Sequence, residues 1–383
     1  ADAEAVPAAV ASMLGIQRRH DRSVSERLVE VLGGRRALLV LDNCEHVREA
    51  AAVLAQQLVE RTVKVHVVAT SREPLGVPGE HRVVVEPLGE QQGVRLFVDR
   101  ARAARPGLTV SAKDEMAAVR RICREVAGLP LGVELAAARA AARTPVEIAA
   151  DLAGRVDRLA AARSGPARHR SLAAVVDWSL DRLSDAEQDL AEYLAVFAGG
   201  CTVQSAAAVC GRDVDQTADL LVVLVERSVL TPRSVRGHTR YVMLEPIRAR
   251  AQQRLQQRGM LESARRAHSG YFAELTTQAA HGMRTPQAAH WVATLDEEFA
   301  NLRAACRWSL ETDNGHTALE LLAPLYFYAW VCMPAELYEW AETAATTPAA
   351  PGHPALPAVL ALRVLGARRR GDMTHATQLA HHA

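Results

Sequence analysis

A-L-L-V-L-D-N-C-E, residues 37–45, is apolar for five residues and then turns acidic at Asp42. Such a run suits a strand covered on both faces within a parallel sheet. Around it the periodicity alternates. Ser25 to Gly33 has helical spacing and stops at Gly33-Gly34, a good helix end. Val47 to Arg61 is helical again. Val63 to Thr70 reads as a second strand ending in T-S-R-E (Thr70–Glu73), and Arg82 to Glu86 as a third, short strand. Strand, helix and strand within about 30 residues make a βαβ unit. Residues 1–88 therefore predict an α/β domain with a parallel sheet.

From Gly89 the pattern is wholly helical. Gln91–Ala104, Lys113–Ala127, Leu131–Ala142 and Pro145–Leu152 fill a helical domain over 89–163, closed by Ser164-Gly165-Pro166. In 164–258, Leu172–Leu183, Ser184–Phe197, Thr202–Cys210 and Val214–Arg227 are helices, and S-D-A-E at 184–187 is a capping box. Val229–Pro232 and Thr239–Leu244 form a hairpin across Arg236-Gly237, before a helix at Ile247–Arg258. Helices followed by a hairpin make a winged-helix module. Residues 259–383 are helical throughout. Leu319–Met333, interrupted by Pro324, reads as a core helix pair. Leu362, Leu365-Gly366 and Gly371-Asp372 fit a helical-hairpin repeat of the tetratricopeptide (TPR) type. The array is expected to continue past Ala383, since a terminal repeat presents a polar cap.

Composition narrows the function classes. Of 383 residues, 49% are hydrophobic and 23% charged, and the formal net charge is +1. That balance argues neither for disorder nor for a global nucleic-acid or membrane surface. The six cysteines are scattered without a C-x-x-C pair, so buried reduced thiols are expected rather than disulfides or zinc ligands. Cys44 and His46 alone do not make a metal site. No secretion signal and no membrane-spanning run is present, so the expected location is cytoplasmic.

Two strand ends carry chemistry. Asp42 stands at the C-terminal end of a parallel strand, where α/β sheets bind ligands. In phosphate-loop hydrolases such an acid holds the magnesium shell. A strand simply ending in a polar turn satisfies the same residues. Arg72 offers a planar fork suited to phosphate, or is a surface arginine in a capping turn. Parallel topology brings both clusters to one rim of the sheet. In G-L-P-L (Gly128–Leu131), Pro130 suits a first helical turn without any ligand.

L-L-V-L-D-N-C-E-H (38–46), V-V-A-T-S-R-E-P-L (67–75) and E-V-A-G-L-P-L-G-V-E-L-A-A-A-R (125–139), in this order, resemble the signal-transduction ATPases with numerous domains (STAND). These are relatives of the NB-ARC switches and include LuxR- and SARP-type bacterial transcriptional regulators. The resemblance implies a phosphate-loop-type sheet domain, ATP or ADP and Mg2+ as cofactors, and slow hydrolysis as a reset. Asp42 becomes the magnesium-shell acid, Glu45 the residue orienting water, and Arg72 the γ-phosphate sensor. Asn43 and Thr70 lie beside the nucleotide, and Leu129 and Pro130 touch adenine or ribose. Asn43 departs from the pattern, standing where many hydrolases have a second acid. Residues 177–210 and 240–255 resemble the start and end of the family's winged helix. The family's M-H-D triplet corresponds to Met243-Leu244-Glu245, so its histidine is lost and only the acid of Glu245 is kept. The resemblance spans roughly residues 5–310, and the repeats more loosely. One element is missing: nothing matches G-x-x-x-x-G-K-[ST], and neither Lys64 nor Lys113 has the needed glycines. In the family that loop lies ahead of the segment matching Val6–Gly15, so it is expected upstream of Ala1, with this chain a fragment.

The expected function is a nucleotide-dependent switch of a transcriptional regulator. The repeats would sense a protein or small-molecule signal, the nucleotide would drive an oligomer, and DNA would be met through a domain outside these residues. Two alternatives stand beside it. One is a pseudo-ATPase scaffold for protein–protein contacts. The other is direct DNA binding through the winged helix, which has a basic patch at Arg233, Arg236, Arg240, Arg248 and Arg250. Against the latter, Val214–Arg227 is acidic at its front and apolar behind, poor for phosphate contact.

Overall fold

The computed structural model describes residues 5–16, 23–71, 73–110, 112–152, 167–312 and 315–382. They form two compact units. The first holds Ala1–Val84, Ala273–Asp296 and Cys306–Ala383, and the second Val85–Phe272 and Glu297–Ala305.

In the first unit, α1 (Ala5–Met13), α2 (Val24–Gly33), β1 (Ala37–Leu41), α3 (Arg48–Arg61) and β2 (Val65–Ala69) follow one another. Ser23 starts α2 through a capping box: its hydroxyl accepts from the Glu26 N–H at 3.2 Å, and Glu26 accepts from the Ser23 N–H at 3.0 Å. The strands pair in parallel, Ala37 opposite Val65 through Leu41 opposite Ala69. Leu39, Leu41 and Val65 face a core with Leu28 and Leu32 of α2, Leu54 and Leu58 of α3, and Val10 of α1. Each large side chain buried there contributes about 1.5–3 kcal/mol.

Two expectations are corrected here. β1 is covered on one face only, for Leu38 is 63% and Val40 57% exposed. Arg82–Glu86 is not a strand. Among the described residues it has no ladder partner, and Val83, Val84 and Val85 are 78%, 72% and 88% exposed. β-branched residues favour extension, but a strand forms only where a neighbour takes up its N–H and C=O groups.

The C-terminal part of this unit is helical: α15 (His316–Leu322), a 3-10 turn at Ala323–Leu325, α16 (Tyr326–Cys332), α17 (Ala335–Ala344), α18 (Leu356–Arg369) and α19 (Met373–His382). Pro324 sits in the 3-10 turn and breaks the run. Leu319, Leu322, Leu325 and Tyr328 are buried, but Phe327, Trp330 and Val331 are exposed, so the expected core pair is buried on one side only. α18 and α19 form a helical hairpin through the turn at Gly371-Asp372.

In the second unit, α4 (Glu90–Ala104), α5 (Lys113–Glu125) and α6 (Pro130–Ala138) bury Phe97, Val119, Ile122, Val133 and Leu135, with α7 (145–152) following. The expected boundary at Ser164-Gly165-Pro166 lies outside the described residues. Beyond it come α8 (Ala167–Leu180), α9 (Asp185–Leu194), α10 (Val203–Cys210), α11 (Val214–Glu226), β3 (Leu230–Val235), β4 (His238–Met243) and α12 (Glu245–Gln257). Ser184 and Glu187 make the expected capping box on α9. The hairpin turns at Arg236 and Gly237, both at positive φ (46° and 85°), as a two-residue connection between twisted strands requires. α13 (Leu261–Gly282) and α14 (Ala288–Thr312) each contribute residues to both units.

Candidate functional site

The C-terminal ends of β1 and β2 lie side by side, and their pairing continues past the strands. The Thr70 N–H donates to the Leu41 carbonyl and the Cys44 N–H to the Thr70 carbonyl, each at 2.9 Å. Between them Asn43 is left-handed (φ 61°, ψ 49°), a conformation asparagine tolerates better than most residues. That turn aims the Asn43 N–H at the Thr70 Oγ1, 2.9 Å away. The Thr70 hydroxyl in turn donates to the Asp42 Oδ1 at 2.5 Å. A hydrogen bond to an ionised carboxylate is short and strong, so it fixes a carboxylate that is otherwise exposed on the rim.

Glu45 stands half-buried in the 3-10 turn Cys44–His46. With its NH2 turned toward that side, the Asn43 amide donates to the Glu45 oxygens at 3.1 and 3.3 Å. The Cys44 thiol is buried and donates to the Leu41 carbonyl at 3.4 Å. Burial, aided by the carboxylates of Glu45 and Asp42, pushes its pKa up, so it is a packing group and not a nucleophile. Arg72 lies outside the described residues. Beside it, Glu73 pairs with Arg48 at 3.2 Å. Asp42, Asn43, Glu45 and Thr70 thus form one polar cluster. An exposed carboxylate held this way can accept the water shell of a hard divalent cation.

The remaining sequence-derived residues belong to the second unit. Gly128 has φ 64°, and a Cβ there would lie 2.4 Å from the Leu88 carbonyl oxygen. The Leu88 N–H donates to the Gly128 carbonyl at 2.9 Å, so backbone touches backbone and only glycine fits. Pro130 opens α6, exposed, with Leu129 half-buried before it. Glu245 opens α12 and accepts from Arg248 at 2.6 and 2.9 Å. Local structure accounts for Gly128, Pro130 and Glu245.

Four of the five arginines of the basic patch meet a carboxylate, and Arg233 stands exposed on β3. Arg236 pairs with Glu297 at 3.1 Å, Arg248 with Glu245, and Arg250 with Asp177 at 2.5 Å, while Arg240 is buried against Glu298. On α11, the helix before the wing, the exposed positions are Val214, Asp215, Gln216, Asp219, Val222 and Glu226. That face carries no cation to set against phosphate.

Sequence reading missed the buried network around Arg240. Its Nη1 and Nη2 donate to Glu298 at 2.6 and 2.8 Å, and its Nε to the Gly199 carbonyl at 2.7 Å. Asn301 donates to Glu298 at 2.7 Å and to the Gly200 carbonyl at 3.0 Å. The partners are 58 residues apart, beyond any local periodicity. An acid and an asparagine on the buried face of α14 were the only signal available.

A family model described as a winged helix-turn-helix domain matches residues 183–256. The chain is 38% identical over 335 residues to "Putative HTH-type transcriptional regulator Rv0890c" of Mycobacterium tuberculosis (strain ATCC 25618 / H37Rv), covering 84% of this chain and 37% of that one. It is 36% identical over 264 residues to "Uncharacterized protein Rv0894" of the same strain, covering 67% of each. The chain therefore spans little more than a third of the length of the longer relative. Among solved structures it is similar, at 12% identity and a TM-score of 0.43, to a Signal Transduction ATPase with Numerous Domains (STAND) protein with a tetratricopeptide repeat sensor from Pyrococcus horikoshii. That likeness covers 99% of this chain and 62% of the other, at a score too low to establish a shared fold.

Proposed function

The chain belongs to the same family as these mycobacterial proteins, and on that premise, with the winged helix-turn-helix match and the relative named as a transcriptional regulator, we propose that it is part of a STAND-like, ATP/ADP-dependent switch in a transcriptional regulator. One observation carries the reading: the Asp42 carboxylate is fixed by Thr70 on the C-terminal rim of paired parallel strands. Ligands bind at that rim in open α/β sheets. Asp42, Asn43 and Thr70 fit the magnesium-holding side of a nucleotide site, and Mg2+ there would neutralise phosphate charge. Thr70 keeps the carboxylate aimed, and Glu45 holds Asn43 in its turn. By the family resemblance, Arg72 would sense the γ-phosphate. The phosphates themselves lack a cradle in these residues, since the glycine-rich loop has no counterpart in the sequence. The helical C-terminal region, read as TPR-like, would receive a protein or small-molecule signal and bias the switch.

Calorimetric titration of ATP and ADP with Mg2+ tests this. Expected is weak, Mg2+-dependent binding that falls further in Asp42→Asn. Equal binding by both chains removes Asp42 from the site. No binding of either nucleotide favours the scaffold reading.

The longer relatives' name points to DNA as the output. The acidic outer face of α11 and the paired arginines of the wing favour a winged helix that packs against protein. A steep loss of duplex-DNA affinity with rising salt would overturn that preference.

A further inference from the structure

The helical C-terminal part of the first unit gathers three ligating side chains that the switch does not use. His316 and Glu320 stand one turn apart on α15, and His353 comes from the loop between α17 and α18. His353 Nε2 and His316 Nδ1 are 3.0 Å apart, and His316 Nε2 is 3.6 Å from Glu320 Oε1. One ligand atom from each residue lies within 4.8 Å of the others.

We propose that His316, Glu320 and His353 form a binding site for a borderline divalent transition-metal ion, Zn2+ above all, that fastens the loop before α18 to α15. Two imidazoles and a carboxylate are a zinc ligand set, with a fourth position left to water. Imidazole nitrogen disfavours the hard cations, so Mg2+ is not the occupant. Residues at i and i+4 share a helix face, which puts His316 and Glu320 on the same side of the ion.

The chain holds these groups together before any ion arrives. Gly315 has φ 84°, and a Cβ there would fall 2.6 Å from the Thr347 side chain, so the start of α15 is pressed against the loop that carries His353. His353 is anchored at both ends: its N–H donates to the Ala350 carbonyl at 3.0 Å, and its Nδ1 accepts from the Ala355 N–H at 3.1 Å. That second bond fixes the tautomers. With Nδ1 accepting, His353 carries its proton on Nε2 and donates to His316 Nδ1, which leaves the His316 Nε2–H facing Glu320. One proton thus sits between the two rings, where the ion would go. On binding, that proton moves to His353 Nδ1 and the Ala355 contact is given up, while Nε2 takes the metal. No proton is lost from the His353 ring in the exchange. Giving up one hydrogen bond makes the affinity moderate rather than tight.

Zinc chloride titrated into the full chain by calorimetry, with Co2+ absorption as a geometry probe, tests the site. Expected is one saturable equivalent of Zn2+, at least tenfold weaker in His316→Ala and in His353→Ala. Co2+ should show tetrahedral d–d bands in the parent chain and lose them in both variants. Glu320→Gln, which replaces the ligating carboxylate by a neutral amide, should also weaken binding, by roughly tenfold or more. All three side chains are at least partly exposed, so circular dichroism should show each variant folded. Absence of saturable binding overturns the proposal. So does binding of unchanged strength in both histidine variants, which would put the ion on other histidines such as His375 and His381.

Discussion

Glu298→Ala is the sharpest test of how the second unit is held together. Glu298 and Arg240 are only 9% and 6% exposed, and their two hydrogen bonds are 2.6 and 2.8 Å long. The substitution also removes the acceptor for Asn301 at 2.7 Å. It leaves the guanidinium buried, with only the Gly199 and Gly200 carbonyls at 2.7 and 3.0 Å to receive its protons. Breaking a buried pair by deleting one partner costs about 3–5 kcal/mol, because the other charge stays behind uncompensated. A typical domain has only about 5–15 kcal/mol of stability in all, so a large part of this unit's margin should go. Urea unfolding followed by far-ultraviolet circular dichroism reads the change as a drop in midpoint. Arg240→Met with Glu298→Leu should recover most of it, since an apolar pair of similar volume replaces a buried pair at little cost. The double variant separates lost charge compensation from lost packing. If Glu298→Ala costs less than about 1 kcal/mol, the range of an exposed pair, the network is not the buried clamp described here.

His268 is buried between Phe197 and Phe272, with ring centroids 4.9 and 4.7 Å away, and burial pushes its pKa down to about 4. The unfolded chain takes up that proton first, so stability should be unaffected above pH 6.5 and fall by about 3 kcal/mol as pH drops to 4; urea midpoints against pH should flatten in His268→Phe. Gly128→Ala must hold a positive φ and push Cβ into the Leu88 carbonyl, so thermal unfolding should show a loss of roughly 2–3 kcal/mol. Thr70→Val strips Asp42 of its donor on an exposed rim, so a loss of only about 1 kcal/mol is expected by urea titration, with weaker Mg2+-dependent nucleotide binding by calorimetry.

What the sequence revealed follows the range of each interaction. The capping box of Ser184 and Glu187 and the turn at Arg236-Gly237 are decided within four residues, so they were legible. Residues 37–41 read as a strand because of their apolar run. The same run cannot say whether one or two layers cover it, and Leu38 and Val40 are in fact open. Val83–Val85 have strand-forming side chains but lack a partner, which no local pattern encodes. The arginines of the wing looked like a basic patch because they were counted along one dimension. In space Asp177, Glu245, Glu297 and Glu298 meet four of the five, three of them from elsewhere in the chain. Charge along a sequence is therefore an upper bound on charge offered to a partner. Asp42 and Thr70 are the opposite case. They are 28 residues apart, yet a helical return between parallel strands forces their C-terminal ends together, so topology carries the inference that periodicity cannot. Topology fixes where the carboxylate stands.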